Sequence, residues 1–227
     1  MQFFQSILVI LLAYLIGSIP IGFLMVKIRT GNDVRDVQSG RTGGTNVMRA
    51  AGFWPGSATG MLDILKGAGT VWIAKEFHIG VWAEVFAPIA AILGHNYSIF
   101  LLKRKDGKLH FGGGAGGAVS AGGAMGLWTP AILIIFPVGF LIFFGIGYAS
   151  VTTMSVALIA TVIFAVRAWM GLSPWQYILY GVFAEILLIW ALRPNIKRLL
   201  AGEERLHGWR KKDGWGVGVV ETEKEEN

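Results

Sequence analysis

Long apolar segments alternate with short polar loops along most of this chain. A helix needs about 20 mostly apolar residues to cross the hydrocarbon core of a bilayer. Seven segments approach that length, over residues 3–26, 54–73, 81–102, 113–128, 130–147, 151–168 and 175–192. The pattern predicts an all-α integral membrane protein with about seven transmembrane helices, formed by residues 1–201. A polar cytoplasmic tail follows at residues 202–227.

The fourth apolar segment is short and rich in glycine. Its small residues recur at intervals of four, in two series: Gly113, Gly117 and Ala121, then Ala118, Gly122 and Gly126. In a membrane, small residues at this spacing let two helices approach closely. The pattern therefore predicts tight helix packing around this segment.

The composition supports membrane insertion. Of the 227 residues, 54% are hydrophobic and only 15% are charged, whereas a soluble domain usually has about 25% charged residues. The chain contains no cysteine. This excludes disulfides, thiolate nucleophiles and cysteine-ligated metal sites.

The basic residues concentrate in loops that share one side of the predicted topology. Most of them lie in residues 27–49, 103–108 and 193–224, and only Lys75 and Arg167 fall on the other side. Lysine and arginine are in excess on the cytoplasmic side of membrane proteins. The distribution predicts a multi-pass protein of the cell membrane, with its N-terminus outside and its C-terminus in the cytoplasm.

The first inner loop, residues 39–49, combines hydroxyls, an amide, glycines and two arginines. Backbone N–H groups of a glycine-rich turn can bind an anion, and arginine can hold a phosphate with two parallel hydrogen bonds. The loop is therefore a candidate phosphate-binding site. The alternative is an ordinary basic loop with turn-forming residues.

Asp63 and Lys66 lie inside the second apolar segment, three residues apart and so on one helix face. Ionisable residues within a membrane are costly and are often functional. Two interpretations stay open: a structural ion pair, or a lysine at the mouth of an active site.

Further candidate residues occur at the inner ends of later segments. His95 could act as a general base or donate to a phosphate, although a lone histidine is more often structural. The glycine-rich run at residues 111–120 opens a helix, and a helix N-terminus favours anions. It lacks the Gly-Lys-Ser/Thr of a nucleotide-binding loop. Residues 193–204 could reach the same pocket or simply anchor the last helix.

Taken together and in this order, these segments resemble the bacterial acyl-phosphate:glycerol-3-phosphate acyltransferase family, the PlsY type. The resemblance extends from Gly17 to Glu204. The matching motifs are Gly17–Gly22, Asp33–Arg35, Ser39-Gly40 with Gly43 and Thr45–Arg49, Asp63–Gly67, Gly94–Asn96, Tyr148–Ser150 and Asn195–Leu200.

The resemblance implies a reaction. Enzymes of this family transfer a fatty acyl group from acyl phosphate to the 1-hydroxyl of glycerol 3-phosphate, which gives lysophosphatidic acid for phospholipid synthesis. They use no acyl-CoA, metal or cofactor. The expected partners are therefore acyl phosphate, glycerol 3-phosphate and membrane lipids, with no nucleic acid.

The resemblance also assigns roles to residues. His95 and Asn195 match residues expected to take part in catalysis. The substrate and its phosphates are expected to bind to Ser39, Gly40, Thr45, Asn46, Arg49, Lys66, Gly113, Gly114, Gly116, Ser150 and Arg198. The proton of the hydroxyl could leave to a substrate phosphate or to His95.

The second family motif differs here. The family has Phe-Lys-Gly-Gly-Lys-Gly-Val-Ala-Thr, whereas this chain has glycine at 112 and alanine at 115 in place of the two lysines. Extra residues, 103–110, precede the motif, and Arg41 stands where the family has asparagine. Charged hydrogen bonds contribute about 1.5–3 kcal/mol each. Arg41 and Lys108 are therefore candidate compensating cations.

Two other classes of function remain open at this point. The first is a non-catalytic paralogue that binds lipid or acyl phosphate, which the loss of both lysines favours. The second is a phosphate transporter, which needs a polar path across the membrane. The outer halves of the segments are apolar, which disfavours a transporter.

Overall fold

A computed structural model of the chain describes residues 2–105, 107–207 and 209. Over these residues the fold has nine α-helices, one β-hairpin, and two short 3-10 helices at Val34–Asp36 and Thr129–Ala131. The helices are α1 Gln2–Ser18, α2 Ile21–Thr30, α3 Gly44–Ala51, α4 Phe53–Glu76, α5 Val81–Asn96, α6 Gly117–Leu127, α7 Ile132–Gly145, α8 Ala149–Trp169 and α9 Gln176–Leu200; the strands are β1 Ser98–Lys105 and β2 Lys108–Gly112. Most of the predicted tail, residues 210–227, lies outside the described residues.

The helices carry the apolar surface of an integral membrane protein. Three helical stretches are long and apolar enough to cross a bilayer: Gln2–Thr30, Ala149–Trp169 and Gln176–Leu200. Large side chains such as Leu133 and Phe136 on α7 are more than 60% exposed, as expected for a surface that faces lipid. Each of the seven predicted spans overlaps a helix, but their number and orientation stay predictions.

The first predicted span is interrupted near its C-terminal end. α1 ends at Ser18 and α2 begins at Ile21. Pro20 has no N–H to donate to the preceding turn, which weakens a helix at this point. At this break, the carbonyl oxygen of Ile19 accepts hydrogen bonds from the backbone N–H of Ile21 at 3.0 Å and from Lys66 Nζ at 3.2 Å. The break thus brings α1 and the buried lysine of α4 together.

The third predicted span was too long, and the all-α class omits the hairpin. α5 ends at Asn96, and the residues that were expected to extend it to position 102 form β1 instead. β1 pairs antiparallel with β2, and Lys103 lies opposite His110. Isoleucine and phenylalanine in this segment favour a strand as much as an apolar helix. The partner strand, which decides between the two, lies in the extra residues.

Helices α4 and α6 approach each other closely, as the small-residue spacing predicts. A Cβ on Gly122 would lie 2.0 Å from the carbonyl oxygen of Ile64, and a Cβ on Gly67 would lie 2.2 Å from that of Val119. Only glycine permits such contact between two backbones. The close approach fixes the N-terminus of α6 beside the polar residues of α4.

Candidate active site

Two adjoining cavities open beside α3, α6 and α9. The first has a volume of about 530 Å³ and the second about 270 Å³. Both are lined by Ser39, Arg41, Asn195 and Arg198. The first is also lined by Thr45, Asn46, Arg49, His95, Gly116 and Ser150, and the second by Gly40, Gly113 and Gly114. Residues far apart in sequence are therefore brought to one place.

Asn46 shapes the loop that supplies much of the cavity wall. Its side chain is buried, and Nδ2 lies within donating distance of the carbonyl oxygens of Val34 at 3.1 Å, Val37 at 3.0 Å and Arg41 at 2.9 Å. A buried amide that holds three carbonyls fixes the path of the loop between them. Asn46 therefore positions Ser39 and Arg41, which lie within this loop.

Arg41 ties this loop to the glycine-rich segment and to α9. Its guanidinium donates to the carbonyl oxygen of Gly114 at 3.1 Å and to that of Ala191. Burial, with the nearby charge of Arg198, lowers the pKa of Arg41 below the ordinary arginine value, but an arginine remains charged. The side chain places a cation at the boundary shared by the two cavities.

The positions that carry lysine in the family also lie at these cavities. Ala115 lines the first and Gly112 the second. Arg41, which lines both, thus stands beside the two places where a cation is missing. Lys108, the other candidate, is exposed on β2, and it is not among the described residues that line either cavity.

Arg49 lies in the last turn of α3. Its Nη2 donates to His207 Nε2 at 2.7 Å, and the backbone N–H of His207 donates to the carbonyl oxygen of Gly147 at 2.7 Å. Burial, with the charge of Arg205, lowers the pKa of Arg49. The first residues of the predicted tail therefore return to the cavity wall.

Glu204 connects two of the predicted site residues. Its carboxylate accepts hydrogen bonds from Ser150 Oγ at 2.6 Å and from Asn195 Nδ2 at 3.2 Å. The sequence reasoning missed Glu203, Glu204, Arg205 and His207 as lining residues. The only sequence signal was their position just after the last matching motif, Asn195–Leu200. Their contacts join residues up to 167 positions apart, which local spacing does not reveal.

Asp63, Lys66 and His95 form a buried polar cluster below the first cavity. Lys66 Nζ lies 2.9 Å from Asp63 Oδ1 and 3.0 Å from His95 Nδ1, in addition to its contact with the Ile19 carbonyl. Asp63 and His95 line the first cavity. Among the described residues, Lys66 is not part of either cavity wall, so it lies behind the histidine.

The hydrogen-bond donors around His95 determine which of its two ring nitrogens carries the proton. An ammonium group has only N–H donors and no acceptor, and Lys66 Nζ has two hydrogen-bond acceptors, the Ile19 carbonyl oxygen and His95 Nδ1, beside its ion pair with Asp63. A charged Lys66 with an ionised Asp63 leaves this buried cluster neutral, which avoids an unpaired buried charge. His95 Nδ1 therefore accepts from Lys66, and the neutral ring carries its proton on Nε2. A Cβ on Gly114 would lie 2.0 Å from Nε2, so glycine is needed there.

The glycine-rich segment is held in place by its own backbone. The N–H of Gly114 donates to the carbonyl oxygen of His95 at 2.9 Å, and the N–H of Thr42 donates to that of Gly113 at 3.2 Å. α6 then begins at Gly117, after Gly116 with a φ of +90°. The helix N-terminus thus opens at the first cavity. Among the described residues, no group of three or more histidines, aspartates or glutamates could hold a metal ion.

Comparison with known proteins identifies the family. A sequence model described as "Glycerol-3-phosphate acyltransferase" matches residues 7–202. The chain belongs to the glycerol-3-phosphate acyltransferase family. Its relatives include the glycerol-3-phosphate acyltransferase of Rubrobacter xylanophilus, 34% identical over 92% of this chain and 98% of the relative. That of Thermus thermophilus is 36% identical over 88% of this chain and 94% of the relative.

Solved structures of the family share this fold. The integral membrane glycerol 3-phosphate acyltransferase PlsY in its glycerol 3-phosphate form is 33% identical, with a TM-score of 0.77. Its lysophosphatidic acid form is 31% identical, with a TM-score of 0.75. Each comparison covers 90% of this chain and 96% of the solved one. The predicted family, and with it a membrane-embedded acyltransferase, is therefore confirmed.

Proposed function

We propose that the protein transfers a fatty acyl group from acyl phosphate to the 1-hydroxyl of glycerol 3-phosphate. The hydroxyl oxygen attacks the acyl carbon, the bond from that carbon to the phosphate oxygen breaks, and the new ester is lysophosphatidic acid. Inorganic phosphate leaves, and the hydroxyl proton leaves with it. The observation that carries the proposal is the pair of adjoining cavities whose shared wall holds two arginines, Arg41 and Arg198.

Two cavities with a shared cationic wall suit two phosphorylated substrates. Each substrate carries a phosphate, and the two would repel each other at close range. Arg41 and Arg198 lie between them and can attract both, while Arg49 faces the first cavity alone. Acyl phosphate is already activated, so the protein must chiefly hold and orient the two substrates.

The proposed roles of the remaining residues follow from their contacts. Ser39 and Thr45 can donate hydroxyl hydrogen bonds to a phosphate, and the backbone N–H groups near Gly40, Gly113 and Gly116 can add to them. Ser150 and Asn195 act together, because one carboxylate, that of Glu204, holds both.

His95 serves as a hydrogen-bond donor in this proposal. Its Nδ1 is occupied by Lys66, so Nε2–H can donate to an oxygen bound in the cavity but cannot take a proton from the hydroxyl. A phosphate oxygen of the substrate is then the proton acceptor. Lys66 and Asp63 are positioning residues, since they act through the histidine ring.

The proposed arrangement in the membrane has seven spans, with the N-terminus outside. The cavities would then face the cytoplasm, where glycerol 3-phosphate is a soluble substrate, and the surrounding lipids would deliver the acyl donor. The basic residues of the first inner loop lie at these cavities, which agrees with the excess of cytoplasmic lysine and arginine that is typical of membrane proteins.

The first test is phosphate release from palmitoyl phosphate by the purified protein, with and without glycerol 3-phosphate. We expect acceptor-dependent release that Arg49→Ala abolishes. Arg193→Ala is the matched control, because Arg193 is exposed and stacks on Trp190. Folded protein that binds palmitoyl phosphate but releases none would overturn the proposal and favour a non-catalytic lipid-binding paralogue.

A further inference from the structure

The β1–β2 hairpin has two chemically different faces. Residues opposite each other in antiparallel strands point to the same side, and successive residues alternate. Arg104 pairs with Leu109, so Leu109 and Phe111 share one face with Arg104. Lys103 pairs with His110, so Lys108 and His110 share the other. One face is largely apolar and the other is basic.

The rest of the protein covers the apolar face only in part, where the Phe111 ring meets the Tyr97 ring edge-on at 6.5 Å. Leu109 is 62% exposed and Phe111 is 48% exposed. Exposed apolar groups on a basic hairpin are unusual for a surface that meets only water. An amphipathic element with basic residues on its polar face is instead typical of segments that lie at a membrane interface.

An ion-pair cluster fixes which face turns toward the protein. Asp33 Oδ2 lies 2.6 Å from Arg35 Nη2 and 3.7 Å from Lys103 Nζ. Arg35 also donates to the carbonyl oxygen of Leu101 at 3.4 Å. Hydrogen bonding to Arg35 lowers the pKa of Asp33 to about 2, so this anchor stays charged at neutral pH. The basic face is thus held toward the polar loop, and the apolar face points away from it.

We propose that this hairpin lies in the headgroup region of an anionic membrane, with Leu109 and Phe111 inserted toward the acyl chains. Arg104 and Lys108 then reach lipid phosphates around it, because long basic side chains extend to the interface, while Lys103 stays beside Asp33. The inference goes beyond the proposed activity and uses only the membrane insertion of the helices. Since Phe111 and Gly112 line the second cavity, the docked hairpin holds the mouth of that cavity at the membrane surface.

The test uses single spin labels, which the absence of native cysteine makes direct. Leu109→Cys and His110→Cys are neighbours on opposite faces. In vesicles containing phosphatidylglycerol, we expect the label at 109 to be accessible to oxygen and the label at 110 to a water-soluble nickel complex. Equal nickel accessibility at both positions would place the hairpin in water and overturn the proposal.

The lipid charge is tested with the same labels. Arg104→Glu/Lys108→Glu should shift the label at 109 toward nickel accessibility, and so should replacing the anionic lipid by phosphatidylcholine. The substitution Glu76→Lys, at the end of α4, is a charge-change control that should leave the label unaffected. If insertion at 109 is the same in both lipids and in the double variant, anionic lipid is not the partner. Normal thermal unfolding of each variant in detergent excludes misfolding.

Discussion

Lys66 shows how single donors and acceptors set the chemistry of the site. It donates to a carbonyl oxygen at the interruption between α1 and α2 and to a histidine, and it forms an ion pair with a carboxylate. Because the ammonium group can only donate, its contact with Nδ1 sets the tautomer of the histidine ring. The same reasoning applies to Arg41, whose two backbone contacts hold its charge between the cavities.

If His95 donates a hydrogen bond, an amide should replace it in part. His95→Gln keeps an N–H donor near the position of Nε2, whereas His95→Ala does not. We expect the glutamine variant to retain kcat within about 10-fold, since loss of a general base typically reduces rates by about 10²–10⁴-fold. Steady-state phosphate release measures both variants. If both variants fold and are equally inactive, the result would favour His95 as a general base.

The charge of Arg41 should be transferable to the position of a family lysine. Arg41→Asn restores the family residue and removes the cation, and it should lower kcat/KM roughly 10- to 100-fold, as expected for the loss of one charged hydrogen bond. Arg41→Asn/Ala115→Lys should recover much of this loss. The control is Lys108→Ala, which we expect to leave kcat/KM unchanged. Failure of the lysine to rescue would show that Arg41 acts through its backbone contacts.

The contact between α4 and α6 determines the shape of the site at the level of elements. It places the N-terminus of α6 and the polar face of α4 on the same cavity. The contact depends on glycine at positions where backbones touch, so the cavity geometry is sensitive to single methyl groups.

Two glycines on α4 provide a matched comparison. A Cβ at Gly67 would lie 2.2 Å from a carbonyl oxygen of α6, while a Cβ at Gly69 would meet nothing within 4 Å. We expect Gly67→Ala to destabilise the fold by about 1–3 kcal/mol through overpacking. Gly69→Ala should be neutral or stabilising, because alanine favours a helix by up to about 1 kcal/mol over glycine. Thermal unfolding in detergent distinguishes them, and equal melting temperatures would contradict the close contact.

The hydrophobic segments predicted the helices well but could not predict the hairpin. An apolar run such as Ser98–Leu102 fits a helix or a strand, and the choice depends on pairing with residues that follow a turn. Proline chemistry favours a break at Pro20, but the long apolar segment around it predicted one continuous helix. The sequence predicted the site residues of the family motifs as one group because these motifs follow one another in the order that the family has. Glu204 and His207 could not be predicted as site residues, since their contacts exist only in the folded chain.

The basic loops give the whole molecule an orientation that can be measured. In the proposed topology, Glu76 at the end of α4 lies outside and Lys197 near the end of α9 lies inside. In intact cells, an impermeant maleimide should label Glu76→Cys, and it should label Lys197→Cys only after permeabilisation. The parent chain, which has no cysteine, is the background control. The reverse pattern would invert the topology and turn the cavities outward.

The shortness of α6 has a consequence for the acyl donor. Its 11 residues rise about 16 Å, little more than half of a hydrocarbon core of about 30 Å. If Trp128 lies at one interface, the other end of α6, which lines the first cavity, stops beneath the opposite surface. The phosphate group of the acyl donor can enter at that depth while its acyl chain remains among the acyl chains of the bilayer. Lengthening the tail then changes partitioning into the bilayer, by about 0.8 kcal/mol per methylene, and not the affinity of the protein for the donor already dissolved there.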